Sequence, residues 1–69
     1  MVRRDGVHKF PRIGTRVRVP FGLGKAEGTV VDTYEVATGP RVEVEVDLGY
    51  GSTVTTDVSL DQVEAADAA

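Results

Sequence analysis

The stretch Arg41-Val42-Glu43-Val44-Glu45-Val46-Asp47 alternates apolar and polar side chains without a break. Period two marks a strand with one face buried, because successive side chains leave a pleated strand on opposite sides. Val42, Val44 and Val46 therefore belong to the core face, and Glu43, Glu45 and Asp47 to the solvent face. A slip of one residue would bury three carboxylates, so the register of this strand is strongly specified.

Working outward, Leu48-Gly49-Tyr50-Gly51-Ser52 carries turn chemistry and leads into Thr53-Val54-Thr55-Thr56, a short strand that completes a hairpin. On the other side, Ala37-Thr38-Gly39-Pro40 separates the alternating stretch from Thr29-Val30-Val31-Asp32-Thr33-Tyr34, which reads as the preceding strand. The segment Phe21-Gly22-Leu23-Gly24-Lys25-Ala26-Glu27-Gly28 holds too many glycines to propagate a regular element and reads as a loop. Before it, Thr15-Arg16-Val17-Arg18-Val19-Pro20 alternates again, with Val17 and Val19 facing inward, Arg16 and Arg18 outward, and Pro20 as the expected end.

After the hairpin, Asp57-Val58-Ser59-Leu60-Asp61-Gln62-Val63-Glu64 mixes apolar spacings of two and three, which fits one helical turn before a brief fifth strand. Five short strands with glycine-rich connections and a helical turn before the last predict an all-β fold: a small five-stranded SH3-like (Tudor-like) barrel. An OB barrel needs more chain than lies between Ile13 and Glu64. The expected organisation is a flexible basic arm over residues 1–12, a barrel over 13–64, and a frayed tail over 65–69. The expected core is Ile13, Val17, Val19, Val30, Val42, Val44, Val46, Val54, Val58, Leu60 and Val63.

A chain of 69 residues accommodates one domain and buries only about 60% of the surface its unfolded form exposes. With no Cys and a single His, His8, neither a disulfide nor a thiolate metal site can supplement the core, which leaves packing and self-association. The basic residues near the amino terminus precede no apolar run of the kind a secretory leader carries, and no stretch approaches the roughly 20 apolar residues of a membrane helix. Those features together point to a reducing, cytoplasmic setting.

The formal charge of −3 is unevenly spread. Residues 1–18 carry six cations and one carboxylate for a net +5, residues 19–40 a net −2, and residues 41–69 one cation and seven carboxylates for a net −6. A basic start of this kind suits phosphate or an acidic protein, and it equally suits pairing with carboxylates on neighbouring strands.

The framework Ile13-Gly14-Thr15-Arg16-Val17-Arg18-Val19, Phe21-Gly22, Gly28-Thr29-Val30-Val31, Val42-Glu43-Val44-Glu45-Val46 and Val58-Ser59-Leu60-Asp61-Gln62-Val63 resembles bacterial Tudor-like and SH3-like barrels. It is similar to the carboxy-terminal Tudor domain of UvrD-type helicases and to the amino-terminal domain of CarD-type regulators. The resemblance covers about fifty residues and consists of strand valines and turn glycines. It implies a docking module whose partner is RNA polymerase or a helicase. Lys25-Ala26-Glu27 departs from the pattern by lengthening the first loop. A second resemblance, to the short barrels of type II dihydrofolate reductases, implies a homo-oligomer and, as a remote alternative function, an oligomeric reductase-like enzyme. That family carries Val-Gln-Ile-Tyr on the penultimate strand, where Thr53-Val54-Thr55-Thr56 stands here, so neither its glutamine nor its tyrosine is present.

Catalytic and metal chemistry find no footing in the composition. Ser52 and Ser59 have no histidine base from the folded region, and Glu43, Glu45 and Asp47 repeat at about 7 Å along one strand, too far apart for one ion. Gly22-Leu23-Gly24-Lys25-Ala26-Glu27-Gly28 resembles a phosphate loop only superficially, since a strand and not a helix follows it. The expectation is a non-catalytic binding module without cofactor or metal. Candidate partner-binding residues are Arg16, Arg18, Phe21, Lys25, Tyr34 and Tyr50, the aromatics as an exposed patch; for Phe21 a cap on the barrel end is the competing role. The alternative function is sequence-nonspecific nucleic-acid binding through Arg3, Arg4, Lys9 and Arg12, which would contact phosphates and lose affinity steeply with salt.

Overall fold

In a computed structural model describing residues 9–66, the alternating stretch is the centre of one antiparallel sheet. The strands are β1 (Arg16–Phe21), β2 (Gly24–Val36), β3 (Gly39–Gly49), β4 (Ser52–Ser59) and β5 (Glu64–Ala65), with a 3-10 turn at Leu60–Gln62 before the last. Their order across the sheet is β4-β3-β2-β1-β5, so four consecutive strands meander and the fifth returns to the free side of the first. This order, with the helical turn before the last strand, is that of a small SH3-like barrel.

The bend that curls the sheet lies in β2. Lys25, Ala26 and Glu27 pair with β1, Gly28 and Thr29 pair with both neighbours, Val30 pairs with β3 while exchanging backbone hydrogen bonds with Gly14 and Thr15 just before β1, and Asp32 onward pairs with β3. Gly28 is where the strands come closest: a Cβ built there would sit 2.5 Å from the Glu45 carbonyl oxygen and 2.6 Å from Val44 Cγ1. No other residue fits that approach without separating the strands. Three residues later Val31 interrupts the register with β3, and this bulge adds twist.

Every buried apolar side chain among the described residues is a valine: Val17, Val19, Val30, Val42, Val44, Val46 and Val58. Phe10, Phe21, Ala26, Leu60 and Val63 close the core from its margins. Valine is small and stiff at χ1, so it packs with little lost side-chain entropy, but each contributes only about 1.5–3 kcal/mol of burial.

Several expectations require correction. Residues 24–28 are strand, not loop; β1 and β2 are joined by Gly22 and Leu23 alone, with Gly22 at φ 61°. A two-residue hairpin with glycine first needs no larger loop, so Lys25-Ala26-Glu27 lengthens a strand. Pro20 lies inside β1, not at its end; β5 covers only Val17 and Arg18, which leaves Pro20 at an edge where no amide is required. Ile13 is 64% exposed and Val54 39% exposed, so neither is core. Ile13 sits in a turn closed by the Thr15 amide on the Arg12 carbonyl (3.1 Å), with Gly14 at φ 95°. Val54 does face inward opposite Val46, but near the end of the outermost strand, where the described residues cover it only in part. β4 runs to Ser59, three residues beyond the expected end, and Ala65 pairs with Val17 instead of belonging to the tail. Phe10 packs on the core although it precedes the expected start of the domain.

Candidate functional site

The outward face of β1, β2 and β5 carries one ionic cluster. Arg16 and Arg18 leave β1 on the same side, opposite Thr29 and Glu27, and β5 brings Glu64 up against Arg18. Glu27 lies 3.5 Å from Arg16 and 3.3 Å from Arg18, Glu64 lies 4.0 Å from Arg18, and the Lys25 ammonium donates to Glu64. Arg16 also donates to the Thr29 hydroxyl at 3.3 Å. The Lys25 hydrogen bond, then the Lys25 charge, hold the Glu64 carboxyl below the usual carboxylate range against the opposing effect of desolvation, and the Arg18 charge adds the least. Three of the proposed partner-binding cations are thus brought together, and two carboxylates of the chain neutralise most of their charge.

The outward face of β3 and β4 is different. Asp32, Glu43 and Asp57 stand directly opposite one another across β2, β3 and β4. Among the described residues only Asp57 of this row has a cation, Arg41, whose Nε donates to the carboxylate at 2.8 Å and whose Nη2 donates to the Asp57 carbonyl at 3.2 Å. Glu45 accepts from the Thr53 hydroxyl at 3.3 Å, and Asp47 from the Gly49 amide at 2.9 Å. Directly opposed like charges are mildly destabilising, so this row is held by the core valines beneath it and not by its own electrostatics. Among the described residues no group of three or more His, Asp or Glu is arranged to hold a metal ion.

The aromatic candidates do not converge. Phe21 leaves β1 on the inward side with Val17 and Val19, is half-buried and packs on the core, so it faces away from Arg16 and Arg18. Tyr34 is half-buried on β2 opposite Arg41, at the end of the sheet that holds the β2–β3 turn. Tyr50 is at the other end, in the turn between β3 and β4, and is fully exposed. Tyr50 has φ 55° and Gly51 φ 76°, the two positive values of a type I′ hairpin turn. Leu48, 47% exposed, lies just before it in the bulge that shifts the β3–β4 register, and Leu23 at the tip of the β1–β2 hairpin is fully exposed. Leu23 and Leu48 were not legible as surface residues; the only sequence signal was an apolar residue flanked by turn glycines.

The residues before β1 meet the end of the barrel over a cleft of about 390 Å³, lined by Phe10, Pro11, Val17, Leu60, Val63 and Ala65, with Lys9, Thr15 and Glu64 also bordering it. Of the proposed nucleic-acid contacts, Lys9 is exposed at this cleft and Arg12 is exposed at the turn before β1. Arg3 and Arg4 lie outside the described residues, as does His8. No described helix is long and apolar enough to cross a membrane. Comparison with protein-family models, with curated proteins and with solved structures finds no match for this chain.

Proposed function

We propose that this chain is a non-catalytic protein-docking module of Tudor-like character, acting in the cytoplasm, which engages its partner through the end of the β3–β4 hairpin. The observation that carries the reading is Tyr50. A tyrosine fully exposed at φ 55° occupies a position that glycine or asparagine would fill with less strain, at a cost of about 1–2 kcal/mol. Exposed aromatic surface on a strained backbone position stabilises nothing inside this chain, and tyrosine is the residue type enriched where proteins dock. Leu48 beside it widens the apolar contact, and Asp47 and Glu45 supply an acidic rim. The pairing of Arg16, Arg18 and Lys25 with Glu27 and Glu64 favours this over phosphate binding by the barrel. The resemblance to helicase and regulator barrels supports RNA polymerase or a helicase as the class of partner.

The test immobilises the 69-residue chain and its Tyr50→Asn variant and compares the proteins each retains from source-cell lysate, with and without nuclease. Asparagine accepts the same backbone geometry, so the variant folds at least as well as the parent. The reading expects a defined protein set that survives nuclease and that Tyr50→Asn retains at least about 10-fold more weakly, as for an aromatic hot spot. Equal retention by the two chains overturns the hairpin assignment, and loss of all retention on nuclease treatment overturns protein docking in favour of nucleic acid.

A further inference from the structure

The outer edge of the sheet is built against the usual rule. β5 forms one edge with two residues, but β4 forms the other with eight, and among the described residues it pairs with β3 alone. Alternate residues of an antiparallel edge strand turn both amide and carbonyl away from the neighbouring strand, and natural edges of this length are blunted by proline, lysine, a mid-strand bulge or a covering segment. The sequence Ser52-Thr53-Val54-Thr55-Thr56-Asp57-Val58-Ser59 contains no proline and no lysine, and five of its residues are β-branched. Its register with β3 is regular from Thr53 to Ser59. Ser52, Thr53, Val54, Thr55 and Asp57 are exposed.

The charges of the sheet also avoid this edge. The outward faces of β1, β2 and β3 present Arg16, Arg18, Lys25, Glu27, Glu43 and Glu45 among others, whereas β4 presents only hydroxyls and Asp57. We propose that β4 pairs antiparallel with β4 of a second copy of this chain about a two-fold axis, with Thr55 opposite Thr55 of the partner copy. The register follows from two observations. The Ser59 amide is already taken by Gln62 Oε1 at 3.2 Å and its hydroxyl by Asp61 at 2.6 Å, so the usable edge is residues 52–58, whose midpoint is Thr55. About that midpoint Asp57 faces Thr53 of the other copy and not a second Asp57, which removes the one like-charge contact the edge could make. Val54, exposed at 39%, then packs beside Thr56 of the other copy on the inward face. The two β3 strands with their carboxylates lie three strand spacings apart, about 14 Å, beyond the roughly 8 Å over which charges act at physiological salt. The contact is independent of Tyr50, which it leaves free at both ends of the paired strands.

The test uses the absence of native cysteine. In the 69-residue chain, Thr55→Cys places two thiols on directly opposed residues, whose Cα separation of about 4.5–5.5 Å suits a disulfide. Thr53→Cys places its thiol four residues along the strand from its counterpart, roughly 13 Å away. Under mild oxidation Thr55→Cys is expected to become covalent dimer and Thr53→Cys to remain largely monomer, both with cooperative melts. Sedimentation of the unmodified chain over rising concentration is expected to show dimer, and Thr55→Lys, which sets two ammonium groups against each other on the axis, is expected to abolish it. A chain that stays monomeric at every concentration overturns the pairing and leaves the edge to a different protein. Equal cross-linking of the two cysteine variants overturns the register.

Discussion

The two hairpins of this sheet share a construction and are finished in opposite ways. Both turn through two residues, Gly22-Leu23 in one and Tyr50-Gly51 in the other, and both send valines inward and charges outward. On β1 and β2 the outward charges are matched: Arg16, Arg18 and Lys25 meet Glu27 and Glu64, and β5 lies along the free side of β1. Glu43 on β3 and Asp57 on β4 oppose one another and Asp32 of β2, with Arg41 as the cation of that row among the described residues, and no described strand pairs with the free side of β4. One hairpin therefore completes its electrostatics and hydrogen bonding within the chain, and the other leaves both unfinished. Interaction surfaces are expected where a fold does not finish itself, and this contrast separates the proposed docking end from the structural end.

The contrast depends on the point where the hairpins part, so the largest effects are expected there. Val46 is fully buried and lies opposite both Gly28 and Val54. Val46→Asp buries a carboxylate without a partner, a change of at least about 4 kcal/mol against a total stability of about 3–10 kcal/mol for a chain of this length. The expected result is loss of the cooperative thermal transition; an unaltered melt would mean that Val46 does not face the core. Gly28→Ala drives a methyl group into the Glu45 carbonyl and Val44. It should destabilise by about 1–3 kcal/mol while leaving each hairpin's own pairing intact. Hydrogen exchange is expected to show weakened protection where β2 meets β3, with the β1–β2 amides outside the bend less affected.

Much of this architecture was legible because its determinants are local. The alternation from Arg41 to Asp47 yields β3 and its faces, and Val17 and Val19 yield β1, since side-chain period and burial are the same fact in a half-buried strand. Glycines were harder to interpret. Gly24 and Gly28 look like loop residues in sequence, yet they lie in β2, Gly28 because a neighbouring backbone leaves no room for a side chain. That is a tertiary constraint which no local pattern reports. Val54 failed for a related reason: period two gives its face correctly, but whether anything covers that face depends on β4 being the outermost strand. The candidate site was legible only as residue types. Arg16, Arg18 and Lys25 do gather, but the acidic partners that absorb them are Glu27, set opposite Arg18 by the β1–β2 register, and Glu64, brought in by the return of β5 to β1.

If the β3–β4 face is electrostatically unfinished, completing it should stabilise the chain. Glu43 has Asp32 on one side and Asp57 on the other. Glu43→Lys replaces two like-charge contacts with two opposite ones, and cross-strand pairs of this kind contribute roughly 0.2–1 kcal/mol each. The thermal midpoint should rise by about 4–8 °C per kcal/mol gained, and the gain should shrink in high salt. A midpoint that falls, or a gain indifferent to salt, would show that the carboxylate row is not under repulsive strain and would erase the difference between the two hairpins.

The smallest expected effect belongs to the finished hairpin, and its sign follows from Glu64. Lys25 and Arg18 hold this carboxyl below its ordinary value near 4.5, so the folded chain binds the Glu64 proton less readily than the unfolded chain does. Its contribution to stability is therefore fully present above the unfolded value and is lost as pH falls through the lower folded value. Glu64→Gln removes that contribution at every pH. The parent and the variant should differ slightly in thermal midpoint at neutral pH and converge on acidification, with the difference also suppressed by salt because the group is exposed. Divergence at low pH would mean that Glu64 acts through packing against β1 and not through its charge. The ionic cluster would then be a consequence of the β1–β5 pairing, and the cations on that face would be open to an outside partner.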